Sequence, residues 1–531
     1  MNAKTKELLS KIINICLYLG LFAILIVCIS EKTNLHCDEV YTYVMSNNTS
    51  SDAITVAPKW YYLYENPEQV WLDTMTVQKG ELFNFENVWA KQAADNHPPF
   101  YYVLIHIISS LFPTVYSKWF AGIVNIIFGL LTLFVGRKIV KNLTNNRIPL
   151  FLASCCLIFS AGILSAMTFF RMYAAAMFFV TLISYLFLKG IEKRNFSFYI
   201  SLFIVSVLGA LTHYYFVIYL FFICFTFGII LLLKKQWKDC LTLVGTMILA
   251  GCSAIAIFPA MLKHVFGNSL RGQQTMSQLV SNTWEAWIEK FKMCYAIVDS
   301  QLFGGTFFFL IIIGFLAILI GWVLKRKKQT ENETNVNPLN RRMLIEKWLL
   351  LWIPVVSYFI FVSKIVVFIT DRYFHLVYAL LIILVVNMVS IAICKILKPQ
   401  IAFILLLVVF LFSTFKEFGN NWFYLYRSEQ SFLNTAASHA DKDCVYIFNL
   451  VYEIDPSFYE IRNYDRVVFV PYTDMDGITE VLLNTKNGVI VSVAAGCSIE
   501  TVHTKIQEKW PDLDVCEYLG RHSFSTTYYI H

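Results

Sequence analysis

A series of long apolar runs is the feature that most constrains how this chain can fold. Runs of about 17–25 mainly apolar residues have the length of helices that cross a bilayer. The 531-residue sequence is 57% hydrophobic and only 15% charged, whereas a soluble domain is about 25% charged. A single water-soluble domain is therefore excluded, and so is disorder, because disordered chains are polar and poor in aromatic residues. The eleven runs that we interpret as spans are 12–30, 118–136, 148–167, 172–188, 196–212, 214–233, 239–260, 303–324, 347–364, 373–394 and 400–415.

Two apolar runs need separate treatment. The first, 12–30, is longer than the core of a signal peptide and lacks a small-residue cleavage site, so we interpret it as an uncleaved anchor. The run 99–112 is only about 14 residues long, which favours an interfacial or re-entrant helix over a span.

The distribution of basic residues predicts the orientation in the membrane. If 99–112 does not span, the N-terminus and the loops 137–147, 189–195, 234–238, 325–347 and 395–398 fall on one side. These segments hold far more lysine and arginine than the short loops on the opposite side, so the positive-inside rule places them in the cytoplasm. The formal charge of +7 thus arises from basic residues in the segments predicted to be cytoplasmic, and no nucleic-acid partner is expected. We expect a multi-pass plasma-membrane protein with its C-terminus outside.

Two domains are predicted. Residues 1–415 would form a transmembrane module whose first outer loop, 31–117, carries interfacial helices, and 416–531 would form an extracytoplasmic domain. Strand-like runs at 443–450, 466–472, 487–495 and 515–530 alternate with a helical run at 498–510, in which Ser498 suits the N-cap. The predicted fold class is a mainly α polytopic membrane protein with a small C-terminal α/β domain.

Candidate site residues stand at the outer ends of the predicted spans. Asp38 and Glu39 follow the first span in LHCDEVYTY, and His97 is the second residue of NHPPFYY. Asp38 could be an acid/base group or merely the N-cap of a helix over 39–46. Further candidates lie in outer turns or loops, where they could also be snorkelling or aromatic-belt residues without a catalytic role. They are Arg171 and Tyr173 of RMY, His213 of THYY, Arg271 of LRGQQ, and Arg372 and Tyr373 of DRYF.

Together these weak signals favour one chemistry. Ionisable groups beside a membrane are costly to desolvate and suggest function. A carboxylate can deprotonate an attacking hydroxyl, and arginine can bind a phosphate and stabilise its charge as it leaves. This combination suits group transfer from a phosphorylated donor.

These motifs resemble those of membrane-integral GT-C glycosyltransferases, in particular the protein O-mannosyltransferase and aminoarabinose-transferase-like superfamily (glycosyltransferase family 39 and its bacterial relatives). The resemblance covers about residues 1–415, and its most specific element is the pairing of DE with HPP. It implies a GT-C fold and transfer of a sugar from a polyprenyl phosphate on the outer face of the membrane. The acceptor would be an envelope polymer, a lipid or a protein.

The resemblance also implies roles for individual residues. Asp38 would be the catalytic base, with Glu39 orienting the acceptor or that base. His97 would line the site, and Arg171 with Tyr173, and Arg372 with Tyr373, would hold the phosphate. His213 and Arg271 are further candidates for substrate binding.

The chain departs from the family pattern at two positions. Phe169 stands where many relatives have an acidic residue, and His97 stands where relatives that use aminoarabinose often have lysine. The donor phosphodiester carries one negative charge, which arginine can neutralise, so no metal cofactor is required. Metal binding by Glu39, His97 and His213 is left open.

Two other functions compete with that of a glycosyltransferase. A transporter or lipid flippase would show paired inverted repeats and ionisable groups at mid-membrane, and the sequence has neither. An assembly protein with a degenerate catalytic core would not need DE and HPP. A polyprenyl-phosphate-sugar-dependent glycosyltransferase is therefore the leading hypothesis.

The orientation can be tested with reporter fusions. We expect a topology reporter fused near residue 330 to be cytoplasmic and one fused after residue 415 to be outside, because 99–112 does not span. Alkaline phosphatase and a fluorescent protein, each active on one side only, provide the measurement. The opposite pattern at both sites would mean that 99–112 crosses the membrane.

Overall fold

The computed structural model describes residues 3–48, 55–267, 270–281, 283–328, 338–416, 424–522 and 524–531. The α-helices are α1 (Ala3–Ser30), α2 (Cys37–Asn47), α3 (Gln69–Met75), α4 (Phe85–Ala94), α5 (Phe100–Leu111), α6 (Lys118–Leu143), α7 (Arg147–Phe159), α8 (Ala161–Thr168), α9 (Tyr173–Glu192), α10 (Phe196–Ala210), α11 (Tyr214–Leu233), α12 (Trp237–Ile257), α13 (Ala260–Phe266), α14 (Leu270–Ser281), α15 (Trp284–Phe303), α16 (Phe307–Lys328), α17 (Pro338–Ile365), α18 (His375–Cys394), α19 (Pro399–Phe415), α20 (Gln430–Ala437), α21 (Phe458–Ile461) and α22 (Ile499–Lys509).

The remaining regular elements are short. The strands are β1 (Asp443–Phe448), β2 (Arg466–Pro471), β3 (Val489–Ala494), β4 (Cys516–Arg521) and β5 (Ser525–Ile530). The 3₁₀ helices are Asp371–Tyr373, Arg427–Glu429, Val451–Glu453, Asp455–Ser457 and Tyr472–Glu480.

The chain forms two compact units. The first contains residues 1–27, 96–101 and 122–423, and the second contains 28–95, 102–121 and 424–531. The sequence predicts the first outer loop as part of the transmembrane module, whereas in the structure most of that loop packs with the C-terminal residues. Backbone bonds within the second unit show this packing, since the amide of Tyr64 donates to the carbonyl of Val467 at 2.8 Å.

The first unit supplies the membrane-spanning helices. Among the described residues, seven helices are long and apolar enough to cross a bilayer, and up to nine spans result if each of two bent pairs counts as one. The bent pairs are α7 with α8 (49°) and α15 with α16 (74°). The polytopic, mainly α fold class is thereby confirmed.

The number of spans differs from the predicted eleven. The predicted spans 196–212 and 400–415 correspond to α10 and α19, which are apolar but shorter than 18 residues. The predicted span 303–324 is one arm of the α15–α16 bend, because Gly304 ends α15 in the left-handed conformation (φ 58°). The short run 99–112 is the helix α5 (Phe100–Leu111).

Helix α18 lies in the interior of the first unit, with 83% of its most apolar stretch buried. Neighbouring helices approach it closely where their side chains are small. A Cβ atom on Gly162 of α8 would lie 2.8 Å from the ring of Tyr378 on α18. This glycine therefore allows α8 to reach the start of α18, where several candidate site residues are found.

The second unit contains a five-stranded sheet with the order β2-β1-β3-β5-β4. Strands β1, β2 and β3 are parallel to one another, while β5 pairs antiparallel with both β3 and β4. The predicted α/β character of the C-terminal region is confirmed, and the predicted run 515–530 is a hairpin of two strands. Val502 and Ile506 of α22 pack on the valine- and isoleucine-rich face of the sheet.

The sheet core provides a test of stability. We expect Val491→Ala in the central strand β3 to lower the stability of the full-length protein by about 2 kcal/mol, because it removes buried methyl groups and leaves a cavity. The matched control is Val515→Ala, since Val515 is 47% exposed. Resistance to limited proteolysis of the second unit during heating in detergent measures the difference. Equal melting of the two variants would contradict the proposed packing.

Candidate functional site

A turn between α8 and α9 places Arg171 inside the first unit. Asn125 fixes this turn, because its side-chain amide donates to the carbonyls of Met167 (3.0 Å) and Phe169 (2.8 Å). Tyr101 in turn donates its hydroxyl to the amide oxygen of Asn125 at 2.9 Å. Buried carbonyls at a helix end need such partners. Asn125 and Tyr101 therefore hold residues 96–101 beside the RMY turn.

The first pair of predicted site residues meets at this turn. The guanidinium Nη2 of Arg171 lies 3.3 Å from Nε2 of His97. Arg171 is only 2% exposed. The HPP and RMY motifs are thus brought into contact, although 73 residues separate them in the chain.

Aromatic rings extend this cluster. The ring of Tyr173 lies 5.3 Å from His213 and 5.8 Å from His375, measured between centroids. Tyr215 lies 5.3 Å from Tyr373, and the guanidinium of Arg372 lies 5.3 Å from the centre of the Tyr373 ring. The structure therefore brings His97, Arg171, Tyr173, His213, Arg372 and Tyr373 together in the first unit. We call these six residues the cationic cluster.

His213 occupies a defined place in this cluster as the N-cap of α11. Its Nδ1 accepts the backbone N–H of Tyr215 at 3.0 Å, so the neutral ring carries its proton on Nε2. Burial holds the pKa of His213 well below its usual value, and the neighbouring His97, Arg171 and Arg372 lower that pKa further. His213 is therefore a neutral hydrogen-bond donor in the pH range of the cell.

The turn that carries Arg372 and Tyr373 is held by residues that the sequence analysis did not select. The carboxylate Oδ2 of Asp371 accepts a hydrogen bond from the amide of Gln301 at 2.8 Å and lies 3.1 Å from Nε2 of His375. The hydroxyl of Tyr378 donates to the side-chain amide oxygen of Gln301 at 2.7 Å. Asp371 thus anchors this turn to α15 and α18. No motif marked Gln301, because its partners Asp371 and Tyr378 lie 70 and 77 positions further along the chain.

Asp38 and Glu39 lie in the second unit, at the start of α2. The alternative that Asp38 is the N-cap is wrong: His36 is the cap residue, and its Nδ1 accepts the N–H of Asp38 at 3.0 Å. Glu39 completes the capping box by accepting the N–H of His36 at 2.7 Å. Asp38 does not itself cap the helix, and its side chain keeps 18% exposure.

Glu39 has different surroundings from Asp38. Its side chain is fully buried, and its carboxylate lies 3.0 Å from the ammonium group of Lys32. The two carboxylates of the DE motif are therefore not equivalent, since one is partly exposed and the other forms a buried ion pair. The joint action of Asp38 and the cationic cluster on one substrate stays a prediction.

Arg271 lies on α14 (Leu270–Ser281), and its side chain is outside the described part of the structure. Among the described residues, one group could offer a metal three ligand atoms within 4.8 Å of one another: His36, Cys37 and Asp38. In this group Nδ1 of His36 already accepts a backbone N–H, which competes with a metal for the same lone pair.

The likeness of this chain to known proteins lies in solved structures. No protein-family model and no curated protein sequence matches it. Among solved structures, the chain is similar to the apo form of ArnT from Cupriavidus metallidurans, with 12% identity, a TM-score of 0.47, and coverage of 92% of this chain and 96% of that one.

A second likeness is to the oligosaccharyltransferase of Archaeoglobus fulgidus. For its apo form the identity is 10% and the TM-score 0.45, with coverage of 96% of this chain and 74% of that chain. For the form tethered to an acceptor peptide with an NVT sequon the values are 10% and 0.43, with 87% and 65% covered. At these identities and TM-scores the likenesses assign neither a substrate nor a catalytic residue to this chain.

The low pKa of His213 has a consequence for stability. Because the unfolded chain protonates this histidine near pH 6.5 and the folded protein does so only at lower pH, acidification favours unfolding. We expect the full-length protein to lose up to about 1 kcal/mol between pH 6.5 and 5.5 from this group alone. His213→Gln should remove the part of the acid-induced loss of stability that is due to this histidine.

Melting temperatures in detergent at pH 7.5 and 5.5 measure the effect. His439→Gln is the matched control, since His439 is a partly exposed residue of the second unit. The same acid-induced decrease in His213→Gln as in the unmodified protein would contradict the prediction.

Proposed function

We propose that the chain is a glycosyltransferase that moves a sugar from a polyprenyl phosphate to an acceptor on the outer face of the membrane. The observation that supports this most directly is the cationic cluster, which gathers Arg171, Arg372 and two histidines among apolar and aromatic residues of a membrane-embedded unit. Guanidinium groups held among such residues bind anions through strong, charge-assisted hydrogen bonds. A lipid-linked phosphate has the charge and the location that this requires.

The cluster suits a phosphate that becomes a leaving group. As the bond between sugar and phosphate breaks, negative charge on the phosphate oxygens increases. Guanidinium groups can bind those oxygens through two parallel N–H bonds, and the Nε2–H of His213 adds a neutral donor. Preorganised donors of this kind stabilise the transition state more than the bound ground state.

The second part of the proposal is a base for the acceptor hydroxyl. Asp38 is the preferred residue, because its carboxylate is partly exposed while that of Glu39 is buried against Lys32. In the proposed reaction Asp38 removes the hydroxyl proton, the acceptor oxygen attacks the anomeric carbon, and the polyprenyl phosphate departs with the bonding electrons. Tyr173 and Tyr373 would flank the phosphate. The mechanism uses no metal ion.

The resemblance of the DE, HPP, RMY, THYY and RYF motifs to GT-C enzymes supports the same activity. The sugar is not set by these features, and a cell-wall polymer, a lipid and a protein all offer the hydroxyl or amine that the mechanism needs. Arg271 stays a proposed substrate contact on the basis of the motif alone.

Substitution of Asp38 tests the proposed base. The purified protein is incubated with a panel of polyprenyl-phosphate sugars and envelope acceptors, and products are identified by mass spectrometry with and without a chelator. We expect Asp38→Asn to lower kcat at least 100-fold, the usual effect of losing a general base, while the amount of protein in the membrane stays unchanged. Arg171→Gln should instead raise the KM of the donor as well as lower kcat.

Asp514→Asn serves as the matched control, because Asp514 lies in an exposed part of the second unit. Unchanged turnover by Asp38→Asn would refute the assignment of the base. Failure of the unmodified protein to consume any donor of the panel, together with energy-independent movement of the lipid across vesicles, would favour a flippase.

A further inference from the structure

The buried ion pair between Lys32 and Glu39 is not explained by the proposed chemistry. Lys32 follows α1 directly, and its side chain is only 1% exposed, while that of Glu39 is 0% exposed. Burial lowers the pKa of Lys32, and the nearby carboxylate of Glu39 opposes that change. A charged pair taken fully out of water costs desolvation energy, so it often contributes less stability than apolar residues would. Stability alone therefore does not explain why the Lys32–Glu39 pair is present.

Both members of the pair act on the start of α2. The carboxylate of Glu39 accepts the N–H of His36 at 2.7 Å and the ammonium of Lys32 at 3.0 Å. His36 caps the same helix through the N–H of Asp38. The backbone on both sides of Asp38 is therefore fixed by groups whose own positions depend on the pair.

The C-terminal part of the chain supplies the other partners. Lys32 donates from its ammonium to the carbonyl of Tyr424. The amide of Thr33 donates to the carbonyl of Leu425 at 3.0 Å, and the side chain of Asn34 donates to the carboxylate of Glu429 at 2.7 Å. Residues 424–429 thus bind three successive residues just before the DE motif.

The ring of His36 is held from the same side. It meets the ring of Tyr424 edge-on at 6.3 Å and that of Phe524 at 6.1 Å, between centroids. Phe524 belongs to the turn between β4 and β5. The cap of α2 is therefore packed against both ends of the C-terminal region.

We propose that Lys32 is a positioning residue for Asp38, acting through Glu39, and that the segment 424–429 completes this support. The inference rests on the proposed function for the role of Asp38. In it Glu39 holds the base in place and does not touch the substrate. Removal of Lys32 leaves a buried, uncompensated carboxylate on Glu39, and turning this carboxylate toward water releases the N–H of His36.

A charge-deletion series tests this inference in the full-length protein. The variants are Lys32→Met, Lys32→Arg, Glu39→Gln and the double variant Lys32→Met/Glu39→Gln. Lys486→Met is the matched control, since Lys486 is an exposed lysine of the same unit. Each is assayed with the polyprenyl-phosphate sugar that the unmodified protein consumes, and each is melted in detergent.

We expect Lys32→Met to lower kcat about 100-fold, the loss that a displacement of about 1 Å can cause, with the donor KM changed less than about 2-fold. The double variant should recover at least about 10-fold over Lys32→Met, because glutamine can still accept the N–H of His36 and leaves no unpaired charge at position 39. Lys32→Arg should keep most of the activity. Asp38→Asn should stay inactive in every background.

Two results would overturn the inference: full activity in Lys32→Met, or a double variant that melts like the unmodified protein yet stays as inactive as Lys32→Met. The second result would mean that Glu39 itself contacts the substrate. Failure of the proposed function gives a different pattern, because Asp38→Asn would then be active, or no donor would be consumed. Even without turnover, recovery of the melting temperature in the double variant reports whether the pair is coupled.

Discussion

The absence of water from the bilayer core is the constraint on which the rest of the structure depends. Backbone polar groups of the membrane-spanning segments must find partners within the protein. Asn125 illustrates the consequence, because it lies in the middle of an apolar helix and satisfies the carbonyls that the end of α8 leaves open. The same constraint makes the RMY turn rigid. A guanidinium group placed at such a turn is already oriented before any ligand arrives.

The broad architecture follows from the sequence because it depends on hydropathy over long windows. The spans 118–136, 214–233 and 373–394 correspond to α6, α11 and α18, and the strands of the C-terminal region were found within a few residues. Bends were not predicted, because the breaks at Ser160 and Gly304 are stabilised by tertiary contacts and interrupt no apolar pattern. Asp38 was one alternative for the helix cap, whereas His36 takes that place and its Nδ1 accepts the N–H of Asp38.

The residues of the candidate site were predictable where they belong to a sequence motif, and the residues outside the motifs were not. His97 and Arg171 were selected from separate motifs, and the structure places them in contact. Gln301, Asn125 and Lys32 were not selected, because each looks like an ordinary loop or helix residue until its partner, far away in the chain, is known. The difference between Asp38 and Glu39 likewise depends on Lys32 and on residues 424–429, which lie almost 400 positions further along the sequence.

The strand order of the sheet has a consequence for how the protein is made. Strand β5 is the last element of the chain, yet it lies between β3 and β4 and not at an edge. The turn that precedes it carries Phe524, which packs on the His36 ring. The surroundings of His36 are thus completed only after Phe524, far along the chain, has been synthesised. A chain cut short before Phe524 therefore lacks one of the rings that hold the cap of α2.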